Sequence, residues 1–207
     1  MKLKAVFLDK DGTIIPDVPY NIDTDKVTLS DGVIEGLQLL QSYGYLLVIV
    51  SNQSGIAHGY FTEEQLNKVR EKINSMCSKM GIYLDGFYYC PHHPEGTVQG
   101  YTTHCECRKP HPGLLLKAAG DMDIDLSSSW MIGDILNDVE AGNRAGCKTI
   151  LINNGNETEW QPGDTRIPEF FANDLSEAAK YILAANKVTS DEKKLERYTK
   201  YTMHKAG

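Results

Sequence analysis

The stretch Lys4-Ala5-Val6-Phe7-Leu8-Asp9-Lys10-Asp11-Gly12-Thr13 decides how the rest of the chain reads. Residues 5–8 are an unbroken apolar run of strand length, the pattern of a strand buried on both faces. The run ends in two acids at i and i+2, which leave the backbone on the same side. Two such carboxylates repel each other unless a cation or a shared proton relieves them. A bare Asp-x-Asp is commonly a turn with a helix-capping aspartate. The longer run here, an apolar strand, then Asp-x-Asp-Gly-Thr, then an apolar residue, is far more specific.

Outward from it, apolar runs and helical periodicities alternate. Strands are predicted at residues 45–50, 86–89, 130–132 and 149–152, with an edge strand at 169–172. Helices are predicted at 30–43, 62–80, about 113–122, about 136–145 and 174–185. Val33, Ile34, Leu37 and Leu40 form the apolar face of the first, and Gly44 stops it. Thr62-x-x-Gln65 is a capping box for the second, and Asp174-x-x-Glu177 opens the last in the same way. This β-α-β-α order implies an α/β fold, a parallel sheet with helices on both faces. Ligands of such a sheet bind beyond the carboxyl ends of its strands.

The chain has 207 residues, 41% hydrophobic, 24% charged and 9% aromatic, which is the makeup of a globular domain and excludes a disordered or collagen-like chain. The expected organisation is one domain over residues 1–186 and a basic C-terminal tail, poor in apolar side chains, over 187–207. A formal charge of -7 argues against a nucleic-acid or anionic-membrane binder, because the mean field repels phosphate. The apolar runs are too short for a signal peptide or a membrane span. No apolar stripe stands out for self-association, so a cytoplasmic monomer is expected.

The residues after each strand are therefore where chemistry is sought. Asp9 and Asp11 follow the first. Ser51-Asn52-Gln53-Ser54-Gly55 follows the second; a hydroxyl and amides beside glycine suit a phosphate oxygen, although many turns share that composition. Arg108-Lys109-Pro110 follows the third strand and its long loop, where a lysine is a point charge for phosphate. Gly133-Asp134-Ile135-Leu136-Asn137-Asp138 follows the fourth, a second acidic pair. Helix capping and the helix dipole explain one of its acids better than two. Each piece is modest alone, but their order along one parallel sheet brings all four to one crevice. The physical reading is Mg²⁺ held by carboxylates, a nucleophilic carboxylate beside it, and Ser51 and Lys109 neutralising phosphoryl oxygens.

Five cysteines cannot all pair internally. Cys90-Pro91-His92-His93 and Cys105-Glu106-Cys107 cluster just before Lys109, and three thiols with a histidine are the content of a structural zinc site. His92, His93 and His104 all lie near enough to supply the histidine. In a reducing compartment such clusters bind metal more often than they cross-link. A zinc-stapled loop over residues 90–107 would present Arg108 and Lys109 rigidly. Cys77 and Cys147, in apolar settings, read as packing residues.

Taken together, the four stretches resemble the four motifs of the haloacid dehalogenase (HAD) superfamily of phosphotransferases, over about residues 5–155. The resemblance implies a Rossmann-like sheet and a phosphatase working through an aspartyl-phosphate. Asp9 would be the nucleophile, Asp11 the general acid and then base, and Ser51 and Lys109 the stabilisers of phosphoryl charge. Catalytic Mg²⁺ would be held by the Asp9 carboxylate, the Asp11 backbone carbonyl and Asp134, with Asp138 in the outer shell. The short span from Asp11 to Ser51, and a simple helix within 53–85, leave no room for a large cap domain, which suits small polar phosphate esters.

Within the superfamily, Cys-Pro-His-His-Pro, Cys-Arg-Lys-Pro-His-Pro-Gly and Asn52-Gln53-Ser54-Gly55-Ile56-Ala57 resemble the heptose 1,7-bisphosphate 7-phosphatases of carbohydrate metabolism. That family implies structural Zn²⁺ on Cys90, His92, Cys105 and Cys107 and a small sugar phosphate as substrate. Asp17 and Tyr20 of the loop 17–20, together with Ser51, Asn52, Gln53 and Ser54, would bind the substrate. Arg108 would take its second phosphate. One position departs from the family, Ile135, where the heptose enzymes often carry lysine. Histidinol-phosphate phosphatases share the zinc loop and are the alternative. From a different class, a catalytically silent zinc-bearing phospho-ligand module has no need of Asp9, Asp11, Lys109 and Asp134 together.

Overall fold

In the computed structural model, which describes residues 2–161 and 163–185, the apolar run at the N-terminus forms β1 (Ala5–Leu8) and buries all four side chains. The expected tail over 187–207 lies outside the described residues. After β1 come α1 (Val33–Ser42), β2 (Leu46–Asn52), α2 (Glu63–Lys79), β3 (Gly86–Cys90) and α3 (Gly113–Met122). The chain continues through β4 (Trp130–Gly133), α4 (Leu136–Ala145), β5 (Lys148–Ile152), β6 (Phe170–Ala172) and α5 (Leu175–Ala185). The strands make one parallel sheet of order β3-β2-β1-β4-β5-β6.

The double burial of β1 follows from its place inside that sheet. Val6 and Leu8 face a core built with Leu37 and Leu40 of α1, Ile73 of α2 and Ile182 of α5. Ala5 and Phe7 face the other side, against Leu114, Leu115 and Ala118 of α3 and Ala141 of α4. Burying a side chain such as Phe7 contributes roughly 1.5–3 kcal/mol. The sequence carries no alternation here because neither face meets water. No helix of the described residues is long and apolar enough to cross a membrane.

Of the boundaries that differ from expectation, three have a clear local reason. Helix α1 starts at Val33, not residue 30, because Gly32 sits in the left-handed region at φ 72°, which a helix cannot continue through. Strand β2 runs on to Asn52, since Ser51 and Asn52 still pair with Tyr89 and Cys90 of β3. The polar ends of a strand are invisible to a reading of apolar runs. By the same pairing Cys90 is the last residue of β3, not the first of a loop. The capping box at α2 is present as expected, Thr62 Oγ1 accepting from Gln65 N and Gln65 Oε1 from Thr62 N.

The strand order reverses between β1 and β4, so the loops leaving these neighbours part company and open a crevice between them. Among the described residues the connection from β1 to α1 holds no helix, and that from β2 to β3 holds only α2. Among the described residues no folded insert covers the crevice.

Candidate active site

A cavity of about 480 Å³ opens at this switch point. It gathers the expected residues from all four loops: Asp9, Asp11, Asp17 and Tyr20 after β1, residues 51–54 around the end of β2, Arg108 and Lys109 before α3, and Asp134 after β4. Asp138 lies beneath them, fully buried.

At the floor, the buried ammonium of Lys109 pairs with Asp9 Oδ1 at 2.7 Å and Asp138 Oδ1 at 2.6 Å, and donates to the Val50 carbonyl at 3.0 Å. Burial alone would lower the proton affinity of Lys109, but the Asp138 and Asp9 carboxylates outweigh it and hold the ammonium above its usual range. Burial, reinforced by the Asp138 charge, pushes the Asp9 carboxyl well above the usual carboxylate range, against the pull of Lys109. Oxygens of Asp9, Asp134 and Asp138 lie within 4.8 Å of one another. Three carboxylates facing one ammonium form a hard-oxygen donor set with negative charge to spare, which fits Mg²⁺.

Asp134 is shifted upward as well. Burial and the Asp138 charge push its carboxyl up to about 7, although Asn156 and Lys109 pull the other way. The folded chain thus holds this proton more tightly than an unfolded one, whose aspartates titrate near ~4. The group's contribution to stability is whole below about pH 4 and is lost as pH rises through about 7. Without divalent cation, the melting temperature is expected to fall between about pH 5 and about pH 8, and Asp134→Asn to flatten that fall. Equal slopes in the two proteins would contradict this.

Several polar residues hold others in place. Asn52 clasps the backbone of Lys109, its Nδ2 donating to the Lys109 carbonyl at 3.0 Å and its Oδ1 accepting from Lys109 N at 3.0 Å. This amide, expected to bind substrate, lines the cavity and also holds the lysine. Gln53 Nε2 donates to Asp11 Oδ2 at 3.0 Å and to Ser51 Oγ at 2.8 Å, while Lys10 Nζ pairs with Asp11 Oδ1 at 2.9 Å. Asp11 is therefore held on both oxygens, by residues that the sequence reading assigned to substrate or left aside. At the rim, Tyr20 has a left-handed backbone, φ 55°, and its ring meets that of Tyr60 edge-on at 4.7 Å. Arg108 lines the wall, and its Nη1 is buried without a hydrogen-bond partner.

One loop was missed altogether. After β5, Asn154 donates to the Gly12 carbonyl at 2.7 Å, Asn156 to Asp134 Oδ2 at 2.8 Å, and Glu157 accepts from Leu136 N at 2.6 Å. The available signal was Asn153-Asn154-Gly155-Asn156-Glu157 directly after a strand, where the other four site loops also begin.

Beside the cavity, Cys90, His92, Cys105 and Cys107 bring their ligand atoms within 4.8 Å of one another. Cys107 Sγ lies 3.0 Å from Cys90 Sγ, 3.2 Å from Cys105 Sγ and 3.4 Å from His92 Nδ1. Hydrogen bonding to Cys90, Cys105 and His92 lowers the Cys107 thiol to about 5. Three sulfurs and one imidazole nitrogen converging in this way suit tetrahedral zinc. Of the three candidate histidines, the ring of His93 packs against His58 instead, at 4.8 Å, and His104 stands outside the cluster. Cys77 and Cys147 are buried among apolar neighbours, as expected.

A HAD-hydrolase-like family model matches residues 106–178. The chain is 48% identical over 153 residues to a D-glycero-beta-D-manno-heptose-1,7-bisphosphate 7-phosphatase of Pasteurella multocida, covering 73% of this chain and 83% of that one. A protein of the same name from Photorhabdus laumondii is 44% identical over 183 residues, covering 87% of this chain and 97% of its own. Among solved structures, the D,D-heptose 1,7-bisphosphate phosphatase of B. bronchiseptica, complexed with magnesium and phosphate, superposes with a TM-score of 0.72 at 28% identity. That match covers 88% of this chain and 99% of the other.

Proposed function

The chain belongs to the HAD-like hydrolases, in the family of D-glycero-β-D-manno-heptose-1,7-bisphosphate 7-phosphatases, and on that premise we propose that it hydrolyses the 7-phosphate of this β-heptose bisphosphate to heptose 1-phosphate. The observation that carries the reading is a cavity with a cationic side chain at each of two places, its floor suiting a phosphate once Mg²⁺ offsets the acids there. Lys109 stands among the buried acids at its floor, and Arg108 keeps a buried, unpartnered nitrogen in its wall. One place suits the reacting phosphate and the other the phosphate that stays. A buried donor left unpaired is costly, which favours a ligand that supplies the missing acceptor.

In the proposed mechanism Asp9 attacks the phosphorus, so that a carboxylate O–P bond forms as the bond from phosphorus to the sugar oxygen breaks. Asp11 gives its proton to the departing alkoxide. It then takes one from the water that attacks the aspartyl-phosphate, releasing phosphate and restoring Asp9. Lys10 and Gln53, on the two oxygens of Asp11, fix where that proton is offered. Lys109 and Ser51 offer donors to the equatorial oxygens, where transfer most needs electrostatic help. Mg²⁺ supplies further charge neutralisation when bound. Asp9, Asp134 and the Asp11 carbonyl would hold it, with Asp138 outside them.

Cys90, His92, Cys105 and Cys107 would hold Zn²⁺, which would keep the loop folded and Arg108 aimed; four protein ligands would leave zinc no chemistry to do. Asp17, Tyr20 and Ser54 contact the sugar. The reading has the enzyme act as a cytoplasmic monomer, all its site residues coming from one chain.

The test compares kcat/KM for the β and α anomers of heptose bisphosphate, histidinol phosphate and fructose 1,6-bisphosphate, with the metal content of the protein measured. The β anomer is expected to lead by about tenfold or more, in a Mg²⁺-dependent reaction, with about one zinc per chain. Preference for histidinol phosphate would overturn the substrate, and absence of zinc the role of the loop.

A further inference from the structure

The loop after β5 ties together the two sides of the switch point. Its start is anchored where Asn153 N donates to the Ala172 carbonyl of β6 at 2.8 Å. From there Asn154 Nδ2 reaches the Gly12 carbonyl, on the loop after β1, at 2.7 Å. Asn156 N donates back to Asn154 Oδ1 at 3.2 Å, which fixes the second asparagine relative to the first. Asn156 Nδ2 then donates to Asp134 Oδ2 at 2.8 Å, on the loop after β4. Glu157 closes the arrangement on the first turn of α4 through Leu136 N.

Two of these three side chains satisfy backbone groups, as loop residues commonly do. Asn156 does not. Its amide is aimed at the carboxylate of a buried acid, and it takes only one of the two oxygens. Asp134 Oδ1 takes a long contact of 3.5 Å from Thr13 Oγ1. The packing admits no slack: a Cβ added at Gly12 would collide with Asp134 Oδ2 and stand 2.6 Å from Asn156 Nδ2. The Asp134 carboxylate is thus wedged between the Gly12 backbone and the Asn156 amide. An amide donor orients a carboxylate without neutralising it, whereas a lysine in its place would compete with a cation for the same charge.

We propose that Asn156 is a positioning residue for the divalent ion: it holds Asp134 with one oxygen turned to the site, and the chain's Mg²⁺ affinity depends on it more than its chemical step does. The proposal rests on Asp134 being a Mg²⁺ ligand, so the experiment separates the two ideas. Mg²⁺ binding is measured by calorimetry without substrate, and by the rise in melting temperature that Mg²⁺ produces, for the parent, Asn156→Ala, the isosteric Asn156→Asp and Asp134→Ala. Removing a partner of a metal ligand typically weakens binding by about 10–100-fold. A loss of that size is expected for Asn156→Ala, and at least as much for Asn156→Asp, which replaces a donor with a like charge. At saturating Mg²⁺ the kcat of Asn156→Ala is expected within about threefold of the parent, so that the loss falls on the metal dependence.

Asp134→Ala is expected to abolish binding. If it binds Mg²⁺ as the parent does, the ligand assignment fails. If it does not, and both Asn156 variants bind within about twofold of the parent, the positioning role fails. A kcat that stays low at saturating Mg²⁺ with unchanged affinity also overturns it. Should the alanine variant fail to fold, the isosteric aspartate decides by the same criterion.

Discussion

Asp9→Asn is expected to turn over heptose bisphosphate about 10⁴-fold more slowly than the parent, or worse, while melting no lower in the absence of Mg²⁺. The two halves of this result have one cause. An amide is no nucleophile, so no aspartyl-phosphate forms. The same change removes a charge that the fold holds at a cost, since burial and the neighbouring Asp138 raise the Asp9 carboxyl well above its usual range. The substituted amide oxygen can keep the two bonds that Asp9 Oδ1 accepts, from Lys10 N at 2.7 Å and from Lys109. The sign of the pH dependence follows. A group with a raised folded pKa contributes its stability below the unfolded value of about 4 and loses it as pH rises, so the advantage of the Asp9→Asn variant should grow from acid to alkaline pH. Steady-state kinetics and melting curves at several pH values check both halves. Residual turnover above about 1% would sink the nucleophile assignment. A melting temperature several degrees below the parent would show that the charge is net stabilising.

Lys109→Met should damage both properties at once. Methionine is an unbranched, flexible side chain that fills much of the same space, so the loss is mainly electrostatic. The ammonium is the shared cation of Asp9 and Asp138, and all three groups are buried. Breaking a buried ion pair from one side costs about 3–5 kcal/mol, because the partner charges remain in a poor solvent. A loss of about 3 kcal/mol or more in chemical denaturation is expected, together with a drop in kcat of about 10²–10³-fold from the missing phosphoryl donor. The stability deficit should shrink as pH falls and the orphaned carboxylates take up protons. It should shrink also in the double variant with Asp138→Asn. A deficit under about 1 kcal/mol at neutral pH would mean that the pair is already relieved by a proton.

The elements of the fold were legible because burial writes itself into short windows. The apolar runs of β1, β4 and β5, the capping box at Thr62 and the apolar face of α1 are each read from neighbours in the chain. Residues that the cavity gathers were legible where a charged residue ends such a run, as at Asp9 and Asp134. Polar residues that hold other residues were less so. Asn52 and Gln53 sit in a stretch whose composition suits a phosphate-binding turn, and the bonds of their amides to Lys109 and Asp11 come only from the fold. The choice of His92 over His93 and His104 rested on resemblance to a family; in the fold His92 joins the three sulfurs, while His93 packs against His58 and His104 stands outside the cluster.

By itself, the sequence determined the residue types, their order after successive strands and the metal chemistry they suit. All of these are properties of short stretches of chain. The tertiary structure alone decided that β1 and β4 are neighbours with the strand order reversing between them, so that Asp9 and Asp134 meet across a crevice. It alone gave the loop after β5 its place, with Asn154 bonded to Gly12 and Asn156 to Asp134. The reason is that a bond between residues so far apart in the chain depends on which strands lie side by side. Asn-Asn-Gly-Asn-Glu records no trace of that in its own composition, which would serve equally well for a turn in water.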